Sequence, residues 1–310
     1  MINKYYLYTN FLFLIIISLC FNNKLLGQQD PQYTQYIYNT MAVNSAYAGQ
    51  RDALSIIGLY RNQWVGIDGA PKTLSFGIHS PLKNERLGLG LSVVSDEIGP
   101  AQEDYVDLNL SYTIPFTEST ELSFGLKAGF HNLSTDWSKG MMFDSADAAF
   151  SQNISLFSPT IGAGLYMHSN KWYLGMSIPN FLVTEHYDDF RNSIASESIH
   201  YYFIGGYVFD LENRIKLKPA FLLKAVPGTP SIADFSLNAL FNDSFTLGVS
   251  NRFDESFSGL VGFQLTQTFF LGYAYDYNTS IGTNYTGGTH EIMLRFELQN
   301  VTKILSPRFF

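Results

Sequence analysis

The stretch Leu122-Ser123-Phe124-Gly125-Leu126-Lys127-Ala128-Gly129-Phe130-His131 alternates between apolar residues and small or polar ones. A period of two places successive side chains on opposite faces of a β-strand. One face of this segment is therefore expected to contact an apolar medium and the other a polar one. The same period recurs from residue 52 onward, for example over residues 87–93, 105–114 and 233–241. The repeated alternation predicts an all-β fold.

The composition of the chain indicates that the apolar medium is lipid. Only 15% of the 310 residues are charged, against roughly 25% in an ordinary soluble domain, yet the mean hydropathy is zero. Outside the extreme N-terminus there is no apolar run of about 18 residues, which excludes a bundle of membrane helices. The aromatic content of 16% excludes disorder. These features together predict a transmembrane antiparallel β-barrel.

The spacing of the alternating segments predicts the topology of the barrel. An even number of strands is usual in bacterial outer-membrane barrels, and so are short periplasmic turns and long outer loops. The connections after even-numbered segments are short and most of the others are longer, which predicts that residues 131–157 and 179–198 face outward and both termini face the periplasm. The short connection 252–256 departs from this rule. Fourteen segments are predicted, with centres near residues 56, 75, 90, 108, 126, 162, 175, 204, 219, 236, 248, 261, 272 and 293.

A soluble β-sandwich would also alternate, and it is the alternative fold. A sandwich needs charged residues on its outer faces. Several segments here instead set an apolar face against small or uncharged residues, as residues 269–277 do. The barrel is therefore the favoured interpretation.

The N-terminus has the features of a secretory signal peptide. Lys4 precedes an apolar core over residues 11–21, which is too short for a membrane anchor, and cleavage is predicted after Gly27. The only cysteine, Cys20, follows Leu19, whereas a lipoprotein signal needs a small residue at that position. The mature chain is thus predicted to have no cysteine and no disulfide.

This cleavage divides the chain into three predicted parts. They are a signal peptide (residues 1–27), a periplasmic leader segment (28–51) and an outer-membrane β-barrel with a short C-terminal tail (52–310). Removal of the two lysines of the signal peptide changes the formal charge from −8 to −10. An acidic exported protein is not expected to bind nucleic acid.

Motifs for catalysis or cofactor binding are not apparent in the sequence. The pairs Gly88-x-Gly90 and Gly162-x-Gly164 open no helix, so they do not predict a dinucleotide site; they are expected to relieve crowding on the inner wall. The six histidines lack metal-ligand spacing, and there is no G-x-S-x-G elbow of a hydrolase. Acidic residues near 144–147 and 188–189 are expected in solvated loops. We therefore predict a non-enzymatic barrel with no catalytic residue, cofactor or metal ion.

The segment between the signal peptide and the first strand leaves two interpretations open. Residues 28–50 are polar and rich in Gln, Asn and Tyr. The segment could plug or stiffen the barrel lumen, or it could dock a periplasmic partner. Composition favours neither interpretation.

The same segment carries a resemblance to the PorP/SprF family. The resemblance is densest over residues 28–115 and continues more loosely, as a barrel pattern, to residues 290–296. The family usually has Asn-Pro-Ala-Tyr-Ala-Gly, and Ser45 replaces the proline here. The matching residues are Gln29-Asp30-Pro31-Gln32-Tyr33-Thr34-Gln35-Tyr36, Asn39, Asn44-Ser45-Ala46-Tyr47-Ala48-Gly49, Tyr60-Arg61-Asn62-Gln63-Trp64-Val65-Gly66, Ala70-Pro71-Lys72-Thr73 and Gly88-Leu89-Gly90.

The resemblance implies an outer-membrane β-barrel of the type IX secretion system of Bacteroidota. Such barrels are either linked to the core secretion and gliding machinery or dedicated to the export or surface attachment of one large adhesin. The expected partners are outer-membrane lipid and either type IX secretion components, a secreted surface adhesin, or both. A general porin or small-solute uptake barrel is the alternative function. The residues that mark the family are candidate partner contacts, although a purely structural role is equally open: Tyr33, Tyr36, Asn39, Asn44, Tyr47, Gly49, Arg61 and Trp64.

Overall fold

The computed structural model describes residues 31–139, 153–182, 198–212, 214–279 and 286–298. Most of them belong to one antiparallel sheet. The predicted signal peptide, the acidic segments 144–147 and 188–189, and the tail after residue 298 lie outside the described residues. The strands are β1 (Leu54–Asn62), β2 (Lys72–Pro81), β3 (Leu87–Ile98), β4 (Ala101–Pro115), β5 (Glu121–Thr135), β6 (Ile154–His168), β7 (Trp172–Ile178), β8 (Tyr201–Tyr207), β9 (Phe209–Glu212), β10 (Ile215–Ala225), β11 (Ile232–Phe241), β12 (Phe245–Arg252), β13 (Ser256–Gln264), β14 (Phe269–Asn278) and β15 (Thr289–Leu298).

The sheet closes on itself. β1 pairs with β2 on one side and with β15 on the other, and β10 pairs with β11, so the described sheet has no free end. β8 and β9 are two parts of one strand interrupted at Val208, because both pair with β10. The architecture is therefore a closed fourteen-stranded antiparallel barrel. Each of the fourteen predicted segments coincides with a strand, which confirms the fold expected from the sequence.

The alternation in sequence becomes an apolar outer wall and a polar lumen. In β5 the outward Phe124 and Leu126 are 45% and 63% exposed, whereas Ser123 and His131 on the other face are buried. The protein itself does not bury the apolar side chains that point outward. Lipid is therefore the medium that stabilises them. This arrangement explains how a chain of low charge and zero mean hydropathy can fold stably.

The two ends of the barrel differ in their connections. We call the end with turns 82–86, 116–120 and 169–171 the periplasmic end and the opposite one the outer end, following the usual asymmetry of such barrels. The short outer turn after β12 was expected. A second short outer connection, Gly99-Pro100 between β3 and β4, was not. There the strands themselves lengthen to 12 and 15 residues and take the place of a loop.

Residues 31–53, which we call the lumenal leader, lie inside the barrel. The leader contains a one-turn helix, α1 (Thr40–Val43), followed by a 3-10 turn (Ser45–Tyr47). From residue 33 to residue 51 every side chain is buried except that of Ala42, which is partly buried. Among the described residues no helix is long and apolar enough to cross a membrane. Of the two interpretations of this segment, the structure shows the one in which it fills the lumen.

Candidate functional site in the barrel lumen

The leader crosses the lumen from the outer end to the periplasmic end. Thr34 contacts Asp276 and Glu291, which lie close to the outer ends of β14 and β15. Seventeen positions later, Arg51 contacts Glu297 at the periplasmic end of β15. The leader therefore runs antiparallel to β1, the strand that follows it.

A buried ion-pair network holds the outer half of the leader. The Nη1 atom of Arg61 lies 2.8 Å from a carboxylate oxygen of Asp276 and 3.0 Å from one of Glu291. Thr34 joins the network, because its hydroxyl donates to Asp276 at 2.8 Å and its backbone N–H donates to Glu291 at 3.0 Å. The backbone N–H of Gln35 donates to the other oxygen of Glu291 at 2.8 Å. The Arg61 guanidinium, two leader N–H groups and the Thr34 hydroxyl thus compensate two carboxylates that the barrel buries.

A second network holds the periplasmic end of the leader. The guanidinium of Arg51 binds both carboxylate oxygens of Glu297. Burial by itself would lower the pKa of Arg51, but the Glu297 carboxylate and Tyr47 together raise it. Arg295 lies 3.6 Å from the same carboxylate, and its guanidinium stacks over the ring of Phe270, 4.7 Å from the centroid. Such a cation–π contact stabilises a desolvated guanidinium.

The side-chain amide of Gln50 links the leader to three strands. Its Nε2 atom donates to the hydroxyls of Thr113 and Ser123, each at 2.9 Å. Its Oε1 atom accepts from Nε2 of His168 at 2.6 Å. A glutamine amide that both donates and accepts in this way orients three side chains on different strands.

Wall side chains also satisfy the irregular backbone in the middle of the leader. The hydroxyl of Ser111 donates to the carbonyl of Ala48, and that of Ser177 donates to the carbonyl of Val43, both at 2.6 Å. Asn44 caps the 3-10 turn by accepting from the N–H of Ala46, and its amide nitrogen donates to the carbonyl of Leu165. A non-helical backbone can be buried in the barrel because these groups compensate it.

The serine that replaces the family's usual proline is tolerated by this geometry. Ser45 is the first residue of the 3-10 turn, directly after the cap residue Asn44. Proline is favoured at the first position of a helical turn because no intrahelical acceptor awaits its N–H. A serine there keeps the turn but lacks the rigidity of the ring, and its buried hydroxyl has no hydrogen-bond partner among the described residues.

Of the glycines predicted to relieve crowding, Gly88, Gly90 and Gly164 do so against the leader, whereas Gly162 does so against Pro179. Gly125, which was not among them, also meets the leader. A Cβ atom added to Gly88 would lie 2.1 Å from the carbonyl oxygen of Ala48, and one added to Gly125 would lie 2.1 Å from the backbone N of Ala46. Gly49 has φ +74° and meets the Cα of Gly88. Close approach of two backbones requires glycine at these positions.

Replacement of Gly88 by alanine is expected to loosen the leader. The added methyl group would overlap backbone atoms, and overpacking of this kind typically costs about 1–3 kcal/mol. We expect a lower urea midpoint of unfolding in detergent for G88A. Gly58 is the matched control, because it also lies in a strand and a Cβ atom there meets nothing within 4 Å. Equal midpoints for G88A and G58A would show that the leader does not press on the wall at Gly88.

A small cavity remains beside the outer part of the leader. Its volume is about 90 Å³. Glu103 in its wall accepts from the hydroxyl of Tyr105 at 2.7 Å and lies 3.5 Å from His131, which stacks on Tyr105. Lys127 and Asp107 form an ion pair at 2.7 Å on the same wall. Charged and aromatic side chains of β4 and β5 thus form one wall of the cavity, and residues of the leader, β3, β6 and β8 also line it.

The predicted partner-contact residues fall into two environments. Trp64 lies in the outer connection between β1 and β2 and is 41% exposed. The others are buried in the lumen and contact the barrel or the leader, so any role as partner contacts stays a prediction. The buried group consists of Tyr33, Tyr36, Asn39, Asn44, Tyr47, Gly49 and Arg61.

Three charged residues of the lumen that contact the leader or its ion pairs were not predicted from the sequence. Glu291, Arg295 and Glu297 share the inward face of β15. The spacing of these charges, all at odd positions of one alternating strand, is a signal that could have revealed them. Within the described ranges no group of three or more His, Cys, Asp or Glu residues is arranged to hold a metal ion.

Comparisons with known proteins place the barrel in a family. The model of the family described as type IX secretion system membrane protein PorP/SprF matches residues 25–296. The chain belongs to the PorP/SprF family. No curated protein sequence matches the chain. The protein is accordingly a type IX secretion system membrane protein with an outer-membrane β-barrel fold.

Solved structures similar to this PorP/SprF member are other barrels. The CymD monoaromatic hydrocarbon channel has a TM-score of 0.51 at 11% identity, with 85% of this chain and 93% of that chain covered. A TodX deletion mutant, also titled a monoaromatic hydrocarbon channel, has a TM-score of 0.50 at 8% identity, covering 87% and 95%. A Pseudomonas aeruginosa FadL homologue has a TM-score of 0.47 at 12% identity, covering 88% and 96%. At these identities the likeness shows the fold alone.

Proposed function

We propose that this barrel is a non-enzymatic component that supports the secretion or surface attachment of a partner protein, such as a large adhesin. Membership of a type IX secretion family supports a role in protein export. The observation that favours this role over that of a diffusion porin is the filled lumen. The leader is buried from residue 33 to residue 51 along the barrel axis.

The chemistry of the lumen supports a sealed scaffold. A porin wall presents its polar groups to water. Here Arg61 instead pairs with Glu291, and Glu297 pairs with Arg51 of the leader. Arg61, Glu291 and Glu297 are each at most 4% exposed. Removing one member of such a buried set leaves an uncompensated charge. The ion pairs therefore favour the leader remaining in place.

The outer connection after β1 offers an accessible surface for a partner. Its backbone is tied to the chain before β15: the N–H of Val65 donates to the carbonyl of Gly288 at 2.9 Å, and that of Gly287 donates to Val65 at 2.7 Å. Trp64 has φ +45°, a strained conformation for an aromatic residue, and is stabilised by a hydrogen bond from its N–H to Thr289. Strain of this kind clusters at functional positions. We propose Trp64 as the partner contact among the predicted residues.

An in-frame deletion of the gene tests the proposal. We expect the surface proteome to lose a large secreted protein and the cells to lose the attachment that this protein provides. Loss of one surface protein would indicate a dedicated barrel, whereas loss of many, together with loss of gliding, would indicate a link to the core machinery. An unchanged surface proteome and unchanged adhesion would refute the proposed function.

Complementation with point variants tests the proposed contact. The W64A variant is expected to restore barrel assembly but to leave less partner on the cell surface. Phe253 is a matched control, since it is also an exposed aromatic residue, in the short outer turn after β12. Equal surface levels of partner for W64A and F253A would exclude Trp64 as the contact.

A further inference from the structure

The first described residue of the leader lies in the outer half of the lumen. Pro31 lines the small cavity together with Glu103 and His200. Glu103 is the third residue of β4, counted from its outer end, and His200 directly precedes the outer end of β8. Three residues further on, Thr34 hydrogen-bonds to Glu291, the third residue of β15 from the same end.

The leader reaches the periplasmic end only at its last residues. Gln50 contacts Thr113 and His168, which lie near the periplasmic ends of β4 and β6. Asp52 then turns the chain with φ +55°, and β1 starts at Leu54. The direction of the leader is therefore fixed at both ends by contacts with identified strands.

We infer that the amino terminus of the mature chain lies at the outer mouth of the barrel and is reachable from the cell surface, contrary to the prediction from the connection lengths that both termini face the periplasm. With cleavage after Gly27, only three residues precede Pro31, and three residues span at most about 10 Å. Glu103, level with Pro31, is two residues from the outer end of β4, which is about 7 Å along a strand. The amino terminus can reach the outer mouth, whereas the periplasmic end is separated from it by the whole leader.

Surface labelling of a single cysteine tests the inference. The only cysteine, Cys20, lies in the predicted signal peptide, so a cysteine introduced at Gln29 would be the only thiol of the mature chain. Gln28 is unsuitable, because a cysteine directly after Leu26-Gly27 would create a lipoprotein signal. We expect Q29C in intact cells to react with a membrane-impermeant maleimide.

Two variants calibrate the two sides of the membrane. D254C lies in the outer turn after β12 and should react in intact cells, whereas S119C lies in a periplasmic turn and should react only after permeabilisation of the outer membrane. Labelling of Q29C like D254C supports the inference. Labelling like S119C, or no labelling in either condition, overturns it.

Two further measurements keep this result interpretable. Heat-modified migration on gels shows whether each variant forms a folded barrel, and D30C serves as a second position should Q29C fail to assemble. Amino-terminal sequencing of the mature protein establishes the cleavage site. A site beyond Pro31, or an uncleaved signal peptide, would also overturn the inference.

Discussion

Deletion of residues 31–50 is expected to convert a barrel whose lumen is filled into one that conducts ions. The leader occupies the axis of the lumen, and its removal would leave an inner wall lined by hydroxyl, amide and charged side chains. Water and ions would enter such a space, as they do in porins. In planar lipid bilayers we expect the intact protein to conduct near background and the deletion variant to conduct at least about tenfold more.

A variant of equal length distinguishes the loss of the leader's contacts with the wall from the loss of the leader itself. Residues 31–50 replaced by a Gly/Ser linker keep the connectivity but lack the bonds of Thr34, Asn44 and Gln50 to the wall. A flexible linker of this kind is a mobile coil, so we expect fluctuating conductance between the two extremes. A large, steady conductance of the intact protein would contradict the sealed lumen and favour the porin alternative.

Replacement of Arg61 by methionine is expected to cause the largest loss of stability of any single lumenal substitution that we consider. Asp276 and Glu291 both lose the guanidinium that lies about 3 Å away. Removal of one partner from a buried ion pair typically costs about 3–5 kcal/mol, because the remaining charge is desolvated and uncompensated. The measurement is the free energy of unfolding by urea in lipid vesicles or detergent.

Two controls identify the cause of that loss. Arg86 is exposed in a periplasmic turn, so R86M should change the free energy of unfolding by no more than about 0.5 kcal/mol. Neutralising the stranded acids in the triple variant R61M/D276N/E291Q should recover part of the loss, since it removes the unpaired charges. An R61M variant as stable as R86M would show that Arg61 does not hold the network together.

The strands of the barrel could be predicted because alternation is a local property. Residues 122–131 show the period of two without reference to any other part of the chain, and lipid outside with polar groups inside enforces it on every strand. Connections were predicted less completely. The two-residue turn at Gly99-Pro100 was missed because the long strands β3 and β4 take the place of an outer loop there, and strand ends are set by pairing with neighbours.

The site was only partly predictable, because its contacts join distant positions of the chain. The family-marking residues Tyr36, Asn44 and Arg61 were singled out, but not the wall residues they meet. Thr34 and Glu291 are 257 positions apart and share a hydrogen bond. Gly88 and Gly90 were expected to relieve crowding, but the sequence does not show that the crowding comes from the leader.

The sequence by itself determined that lipid surrounds the barrel and that the barrel has fourteen strands. Low charge, zero mean hydropathy and fourteen alternating segments suit a wall between lipid and water. Whether the leader docks outside the barrel or fills it was decided by the tertiary structure. The closed sheet brings Glu291, Asp276 and Glu297 to face one lumen, where buried carboxylates need cations and N–H groups. Arg51, Thr34 and Gln35 of the leader provide part of that compensation, and Arg61 of the wall completes it.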